Sequence, residues 1–266
     1  MITDFIFDGQ ELSGFGYIIC DFDGASGTET HSVSEKSFTN IKSPLSNKSH
    51  VVATSEDENL NRKIQIMKNP CDNDLLNITN DDLSELSRWL CREDYKLFKW
   101  VEDKDDDEIF YEVQIKLRKI ELAGGRVGAE LDITANAQHG FTREIIKKFS
   151  LDGSDSKSIT VFSDDEGYIY PDVAITIKEA GDFELVNQYE NRTTYIANCE
   201  AGEVFTFYGG DTLQIVSSNT SHDLSTCYNY KSPRLCTKYR EYTNTFTSNL
   251  SCDVTIKYKG IRKVGL

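Results

Sequence analysis

The sequence predicts a mainly β protein with one short helix. Three observations carry that expectation. Apolar residues recur with period two through the middle of the chain. Turn-forming residues punctuate the second half every ~8–12 residues, as in sandwiches. Only one segment shows helical spacing.

The central strand is the clearest element. Tyr111, Val113, Ile115 and Leu117 alternate with Glu112, Gln114, Lys116 and Arg118, the pattern of a strand with one buried face. The parity then shifts to Ile120 and Leu122, which predicts a bulge or the end of the buried stretch. Upstream, residues 95–101 read as its antiparallel partner, with the acidic tip 102–108 as a solvated turn. That tip lacks the glycine and spaced carboxylates of a calcium loop. Downstream, Gly124-Gly125 reads as a turn, and Val127, Ala129, Leu131 and Ile133 line one side of a third strand. The helix begins at Thr79, an N-cap followed by Asp81 and Asp82. Leu83, Leu86 and Leu90 recur at helical spacing beside Trp89, and the helix ends near Arg92. One helix among strands argues for a lid or strap, not an alternating βαβ fold.

Residues 24–60 are rich in Ser, Asn, Thr and Lys and read as a long loop or arm with little internal packing. In the second half, 158–162, 173–178, 183–187, 194–198, 204–208, 212–217 and 251–258 read as short strands. Asp164-Asp165-Glu166-Gly167 reads as a turn.

The chain has 266 residues, enough for one large domain or two smaller ones. Its 29 basic residues stand against 44 acidic ones, a formal charge of −15 that argues against a general nucleic-acid binder. Acidic residues gather at 56–58, 81–82, 102–108 and 164–166, basic ones at 116–119, 147–148 and 257–263. No apolar run approaches the ~18 residues of a membrane span. The N-terminus shows no basic stretch followed by an apolar run, so no secretory signal is expected. The seven cysteines are odd in number and form no CxxC, so reduced packing residues are expected. Without a signal, the glycosylation-like triplets at Asn47, Asn77, Asn191, Asn219 and Asn249 are chance matches.

Catalytic and cofactor motifs are lacking. His31, His50, His139 and His222 stand in no HExxH, and no nucleophile elbow or phosphate-binding glycine loop occurs. The expectation is a protein with no enzymatic activity, cofactor or metal. Tyr168, Tyr170, Tyr189, Tyr195 and Tyr208 are of the type that stacks on sugars, but strand aromatics more often belong to a sheet face.

The residues carry a family resemblance. Residues 5–20, Phe-Ile-Phe-Asp-Gly-Gln-Glu-Leu-Ser-Gly-Phe-Gly-Tyr-Ile-Ile-Cys, resemble the opening of phage distal tail proteins (Dit) of long-tailed phages. There a short strand, a glycine turn and Phe-Gly precede a second strand. The 110–122 strand, the glycine turn and the 131–137 strand are similar to the family. So are residues 164–171, ending in Pro171, followed by the 173–178 strand and Gly181-Asp182-Phe183. The ending 252–258 with Arg262 and Lys263 is similar to its last strand and basic tail. Ala180 departs from the pattern, standing where the family has an earlier glycine. The resemblance covers most of the chain outside 24–60.

The resemblance implies two domains: a ring-forming N-terminal β-sandwich over 1–139, with the arm 24–60, and a galectin-like β-sandwich over 140–266. It implies a virion structural protein of the tail tip, assembled in the bacterial cytoplasm. Its homo-hexameric ring would join the tail tube protein to a tail-associated hub protein and anchor receptor-binding proteins. Stable nucleic-acid or membrane binding is not implied. The candidate subunit and partner contacts are Phe5, Phe7, Leu12, Phe15, Tyr17, His31, Phe38 and Ile41. A carbohydrate-binding sandwich in host-surface recognition is the alternative reading.

Overall fold

The computed structural model describes residues 2–22, 33, 36–42, 48–56, 59–72, 76–102, 108–210 and 212–266. The chain divides into two compact units, Met1–Phe141 with Lys263–Leu266, and Thr142–Arg262. The last four residues, which the sequence reading assigns to the second half, thus cluster with the first.

The first unit carries β1 (Ile2–Phe7), β2 (Gln10–Glu11), β3 (Tyr17–Cys20), β4 (Lys36–Lys42), β5 (Ser49–Glu56), β6 (Asn61–Lys68), helix α1 (Asn80–Leu90), β7 (Lys96–Glu102), β8 (Ile109–Leu122) and β9 (Gly125–Ala135). Its main sheet runs in the order β2-β1-β7-β8-β9-β6-β3. The alternation in β8 is expressed directly. Tyr111, Val113 and Ile115 are buried and pair across to Phe98, Ala135 and Ile133. The parity shift falls on a bulge, where register slips between Ile120 and Glu121. The hairpin turn lies one residue earlier than expected. Ala123 and Gly124 both have positive φ, and Gly125 already belongs to β9. Two such residues make the turn whose twist matches the strands it joins. Gly128 has a different reason to be glycine: a Cβ there would lie 2.4 Å from the Phe22 ring and 2.6 Å from the Ile66 carbonyl.

Helix α1 starts in a reciprocal cap. The Asp82 N–H donates to Thr79 Oγ1 at 3.2 Å, and the Thr79 N–H donates to Asp82 Oδ2 at 2.7 Å. Lys68 pairs with Asp82 at 2.7 Å. These bonds hold the Asp82 carboxyl below the ordinary value, against burial acting the other way. The helix buries Leu86, Trp89 and Leu90 among the sheet's inner residues. At ~1.5–3 kcal/mol for each large apolar side chain, this face anchors the unit.

One expectation needs correction here. Within the segment 24–60, read as a long loop or arm, the described β4 and β5 form an antiparallel hairpin, with Phe38 opposite Thr54 and Ile41 opposite His50. Thr and Val supply the β propensity that the polar composition hides. The acidic tip lies largely outside the described residues, at 103–107.

The second unit follows β10 (Gly140–Thr142). It contains β11 (Ile145–Asp152), β12 (Ser156–Ile169), β13 (Asp172–Ile177), β14 (Gly181–Asn187), β15 (Arg192–Cys199), β16 (Val204–Tyr208), β17 (Gln214–Ser217), a four-residue helix α2 (Leu224–Cys227), β18 (Leu235–Ser248), β19 (Ser251–Tyr258) and β20 (Ile261–Arg262). A sheet β11-β19-β13-β16-β17 and a sheet β12-β18-β14-β15 enclose one core containing Val161, Ile175, Phe183, Phe205, Phe246 and Ile256.

The acidic segment 164–167, expected as a turn, is a bulge inside the continuous strand β12, whose register with β18 slips between Ser163 and Glu166. Opposite the slip, Tyr239 and Arg240 adopt φ of 37° and 79°. Non-glycine residues in that region cost ~1–2 kcal/mol each, so the local strain is real. The ribbon bends back here. Asn244 Oδ1 accepts the Cys236 N–H at 2.8 Å, and Asn244 Nδ2 donates to the Cys236 carbonyl at 3.0 Å. In a straight strand these residues would stand roughly 26 Å apart. Asn187 Nδ2 reinforces the fold-back, donating to Asn244 Oδ1 at 2.9 Å and to the Arg234 carbonyl at 3.2 Å.

All seven cysteines are free. Burial pushes the Cys199 thiol up to about 12 and the Cys236 thiol up to about 11. Such thiols are inert packing groups. Cys71 and Cys91 are exposed instead.

Candidate functional site

The residues singled out as contacts fall into two groups. Phe5, Phe7 and Leu12 have 0% exposure. A side chain with no exposed area has none left for a second chain, so these are core residues, not an interface. Their neighbours explain why. Phe5 stacks on Trp89 at 5.8 Å and on Phe98 at 5.3 Å, and Trp89 Nε1 donates to the Phe7 carbonyl at 3.1 Å. Phe15 stacks on the other part of this cluster, 4.2 Å from Trp89. Tyr17 is buried too, and burial, with Asp82 and Glu85 nearby, pushes its hydroxyl well above the ordinary tyrosine value. The sequence showed these as apolar residues near strand starts, which is the signature of a core as much as of a contact. His31 lies outside the described residues.

Phe38 and Ile41 behave otherwise. They are 58% and 56% exposed, and Val51 and Val52 on the facing strand are 58% and 59% exposed. Register and pleat separate them. Phe38 and Val51 lie on one face of the hairpin, the latter opposite Asn40, while Ile41 lies on the other face with His50. A bulge between Thr39 and Asn40 accommodates Val52. Among the described residues, β4 and β5 pair only with each other. An isolated two-stranded hairpin is marginal in water, and four large apolar side chains on it are a surface in search of cover. Val51-Val52, an apolar pair in a polar stretch, was the signal that the sequence reading passed over.

The second unit presents a contrasting, internally satisfied cluster. Arg234 donates from Nε and Nη2 to Glu190, at 2.9 and 2.5 Å, and from Nη1 to the Tyr170 hydroxyl at 3.2 Å. Its guanidinium lies 3.5 Å over the Tyr168 ring. Tyr168 and Tyr170, considered as sugar-stacking residues, are thus engaged by an arginine that pins the bent ribbon to the β14–β15 turn. Tyr189 packs edge-on against Tyr242 at 4.7 Å, and Tyr195 donates to Asp182 at 3.1 Å. Tyr208 is exposed at the end of β16.

A buried polar knot lies under β17. Glu203 accepts the Ser217 hydroxyl at 2.5 Å, the Glu200 N–H at 2.9 Å and His222 Nδ1 at 2.8 Å. The Glu203 and His222 side chains are 1% and 4% exposed. Burial alone would raise the Glu203 carboxyl, but its hydrogen-bond donors overcome that and hold it below the ordinary value. Serine and histidine both bond the carboxylate rather than each other, so no nucleophile is activated. Among the described residues, no group of His, Cys, Asp and Glu is arranged to hold a metal. No helix among them is long and apolar enough to cross a membrane.

Residues 1–137 match a family model described as a phage tail protein N-terminal domain, and residues 139–258 match one described as a phage tail C-terminal domain. The chain belongs to this phage tail protein family. The fold of the tail protein is similar to the crystal structure of phage SPP1 Dit (gp 19.1), described as a paradigm of the hub adsorption apparatus in phages infecting Gram-positive bacteria. The match has a TM-score of 0.63 at 10% identity, over 97% of the tail protein and 99% of Dit. The resemblance to distal tail proteins read from the sequence therefore holds at the level of fold. The phage P2 baseplate in its activated conformation with calcium aligns at 9% identity over 98% of the tail protein and 99% of its own chain. Its TM-score of 0.43 is too low to support further argument. No curated protein matches the tail protein.

Proposed function

We propose that this tail protein is the distal tail protein of the tail tip, a structural and non-enzymatic component. It would close as a homo-hexameric ring joining the tail tube to the hub protein. The carrying observation is the likeness of fold to SPP1 Dit across 97% of this chain and 99% of that one, which takes in both units. The β4–β5 hairpin supports the ring: among the described residues its strands pair only with each other, and it carries four exposed apolar residues, which a neighbouring subunit would cover. In this reading Phe38 and Ile41 are subunit contacts, the second unit faces outward to receptor-binding proteins, and assembly occurs in the host cytoplasm. The −15 charge suits a ring that passes DNA without retaining its phosphates.

Light scattering coupled to size exclusion, at rising protein concentration, tests the ring. A species six times the 30.2 kDa of one chain supports it. A strict monomer, both alone and mixed with the tail tube and hub proteins, refutes it. Immunogold labelling of the particle tests the place. Label at the tip is expected, and label along the whole tail would make this a tube protein.

A further inference from the structure

Two phenol rings meet at the surface of the second unit, and the bonds around them hold them there. Tyr189 stands in the turn between β14 and β15 and is 54% exposed. The chain is tied down on both sides of it. The Gln188 N–H donates to the Thr245 carbonyl at 2.9 Å, and Arg234 Nε donates to Glu190 at 2.9 Å. The Tyr189 N–H itself donates to Asn187 Oδ1 at 3.3 Å. Tyr242 lies on β18, opposite Val161 and just past the positive-φ residues Tyr239 and Arg240. Its ring meets that of Tyr189 edge-on, with centroids 4.7 Å apart and planes at 74°. That is the near end of the ~4.5–7 Å range for aromatic pairs. The hydroxyl ends meet as well: a hydrogen-bonding contact with Tyr189 pushes the Tyr242 hydroxyl up to about 12.

The place of the hydroxyls decides what such a pair can do. One-electron oxidation of a phenol leaves the unpaired spin on the oxygen and on the ring carbons ortho and para to it. The para carbon of tyrosine carries Cβ, so coupling falls to the ortho carbons, beside the hydroxyl. Two rings whose hydroxyls meet present those carbons to each other, and an encounter between chains becomes a reaction within one. Tyr228 and Tyr230 show the opposite case. Their centroids are 5.4 Å apart, but the hydroxyls go to separate partners, Tyr228 to Ser232 Oγ at 3.1 Å and Tyr230 to the Ser225 carbonyl at 3.0 Å.

We propose that Tyr189 and Tyr242 form an oxidative cross-linking site, joined as dityrosine by a peroxide acting through a one-electron catalyst. Each phenol gives up one electron and one proton, and the peroxide is reduced to two waters. A carbon–carbon bond forms between the two ortho carbons, and the ring hydrogens displaced there move to the oxygens. The product is lighter by two hydrogens and fastens the β14–β15 turn to the bent ribbon. The new bond closes a long loop of chain, which restricts the unfolded ensemble as a disulfide does.

The test treats the full chain with hydrogen peroxide and a haem peroxidase, after the exposed Cys71 and Cys91 thiols are capped with iodoacetamide. Blue dityrosine fluorescence is expected, with single-chain mobility on a denaturing gel and a cross-linked peptide pair holding Tyr189 and Tyr242 in mass spectrometry. The fluorescence should be lost in Tyr189→Phe and in Tyr242→Phe, which keep both rings, and unchanged in Tyr230→Phe. Oxidation should raise the urea midpoint of the wild type and leave that of Tyr242→Phe where it was. The proposal is overturned by absence of dityrosine, by cross-links that map to other tyrosines or only between chains, or by an unmoved urea midpoint once the two residues are joined. None of these readouts depends on the ring or on the place of the chain in the particle.

Discussion

Buried polar side chains are sparse in the first unit and frequent in the second. Among the described residues, Asp132 and Gln138 stand against Ser163, Asn187, Thr194, Glu203, Thr237, Asn244 and Ser248. The first unit has a helix to fill its curled sheet, and Trp89 with Phe5, Phe7, Phe15 and Phe98 forms a contiguous aromatic centre. The second has no helix of that length. Its long ribbon bends over the core, and at the bend the Asn187 and Asn244 amides reach backbone groups of Arg234 and Cys236. Aromatic packing tolerates adjustment of shape, whereas a hydrogen-bonded staple loses its function when one member goes.

Substitutions sharpen this contrast. Trp89→Ala should cost about 4 kcal/mol, and hydrogen exchange should report the loss in the first unit alone. Protection lost equally in both units would show that their stabilities are not separable. Asn244→Ala should cost about 3 kcal/mol, because it strands both backbone groups of Cys236 and the Asn187 amide in a dry site. Asn244→Leu should cost no less despite its greater apolar area. A neutral Asn244→Leu would mean that the staple adds nothing over packing.

Acid weakens one staple of the second unit, as it does the Asp82 cap of the first. The folded Glu203 carboxyl lies below its ordinary 4.5. The stability it contributes is therefore fully present above that pH and is lost as pH falls through the folded value. Glu203→Gln should lower stability at neutral pH by about 1–2 kcal/mol. The deficit should shrink on acidification, as read in urea midpoints between neutral and acid pH. A deficit constant with pH would show that the carboxylate charge is not what matters. The smallest effect on stability should come from Phe38→Ser with Ile41→Ser. These residues touch little of their own chain, so the melting midpoint should hardly move while self-association in light scattering falls away. An unchanged assembly would remove the hairpin from the interface.

The same contrast explains what was legible in the sequence. Helix α1 was visible because its cap, its leucine spacing and its length all agree. The β7–β8–β9 meander was visible because one face is apolar and the other charged. Strand β18 was not visible: Thr243, Thr245 and Thr247 line its outer face, and Asn244 sits where an apolar residue would mark the inner one. Its bend rests on positive φ at Tyr239 and Arg240, residues that carry no turn signal. The 164–167 segment reads as a turn because its composition is that of one, and only pairing with β18 shows the bulge. The site divides in the same way. Phe5, Phe7 and Leu12 share their chemistry with Phe38 and Ile41, and only the core packed around the first group, Trp89 and Phe98 included, separates it from the exposed pair.

The return of the chain to its first unit has a topological consequence. The Tyr111 hydroxyl donates to the Gly265 carbonyl, and Arg62 Nη1 donates to the Leu266 carbonyl at 3.1 Å. Thr142 and Gly260, near the ends of the intervening segment, hold each other by two hydrogen bonds at 2.9 Å. Along the chain, the second unit is a single insertion into the first, and the ends of that insertion stay adjacent. The entropy of closing such a loop grows only logarithmically with its length. An insertion of quite different size, provided its termini lie equally close, would close at a similar entropic cost.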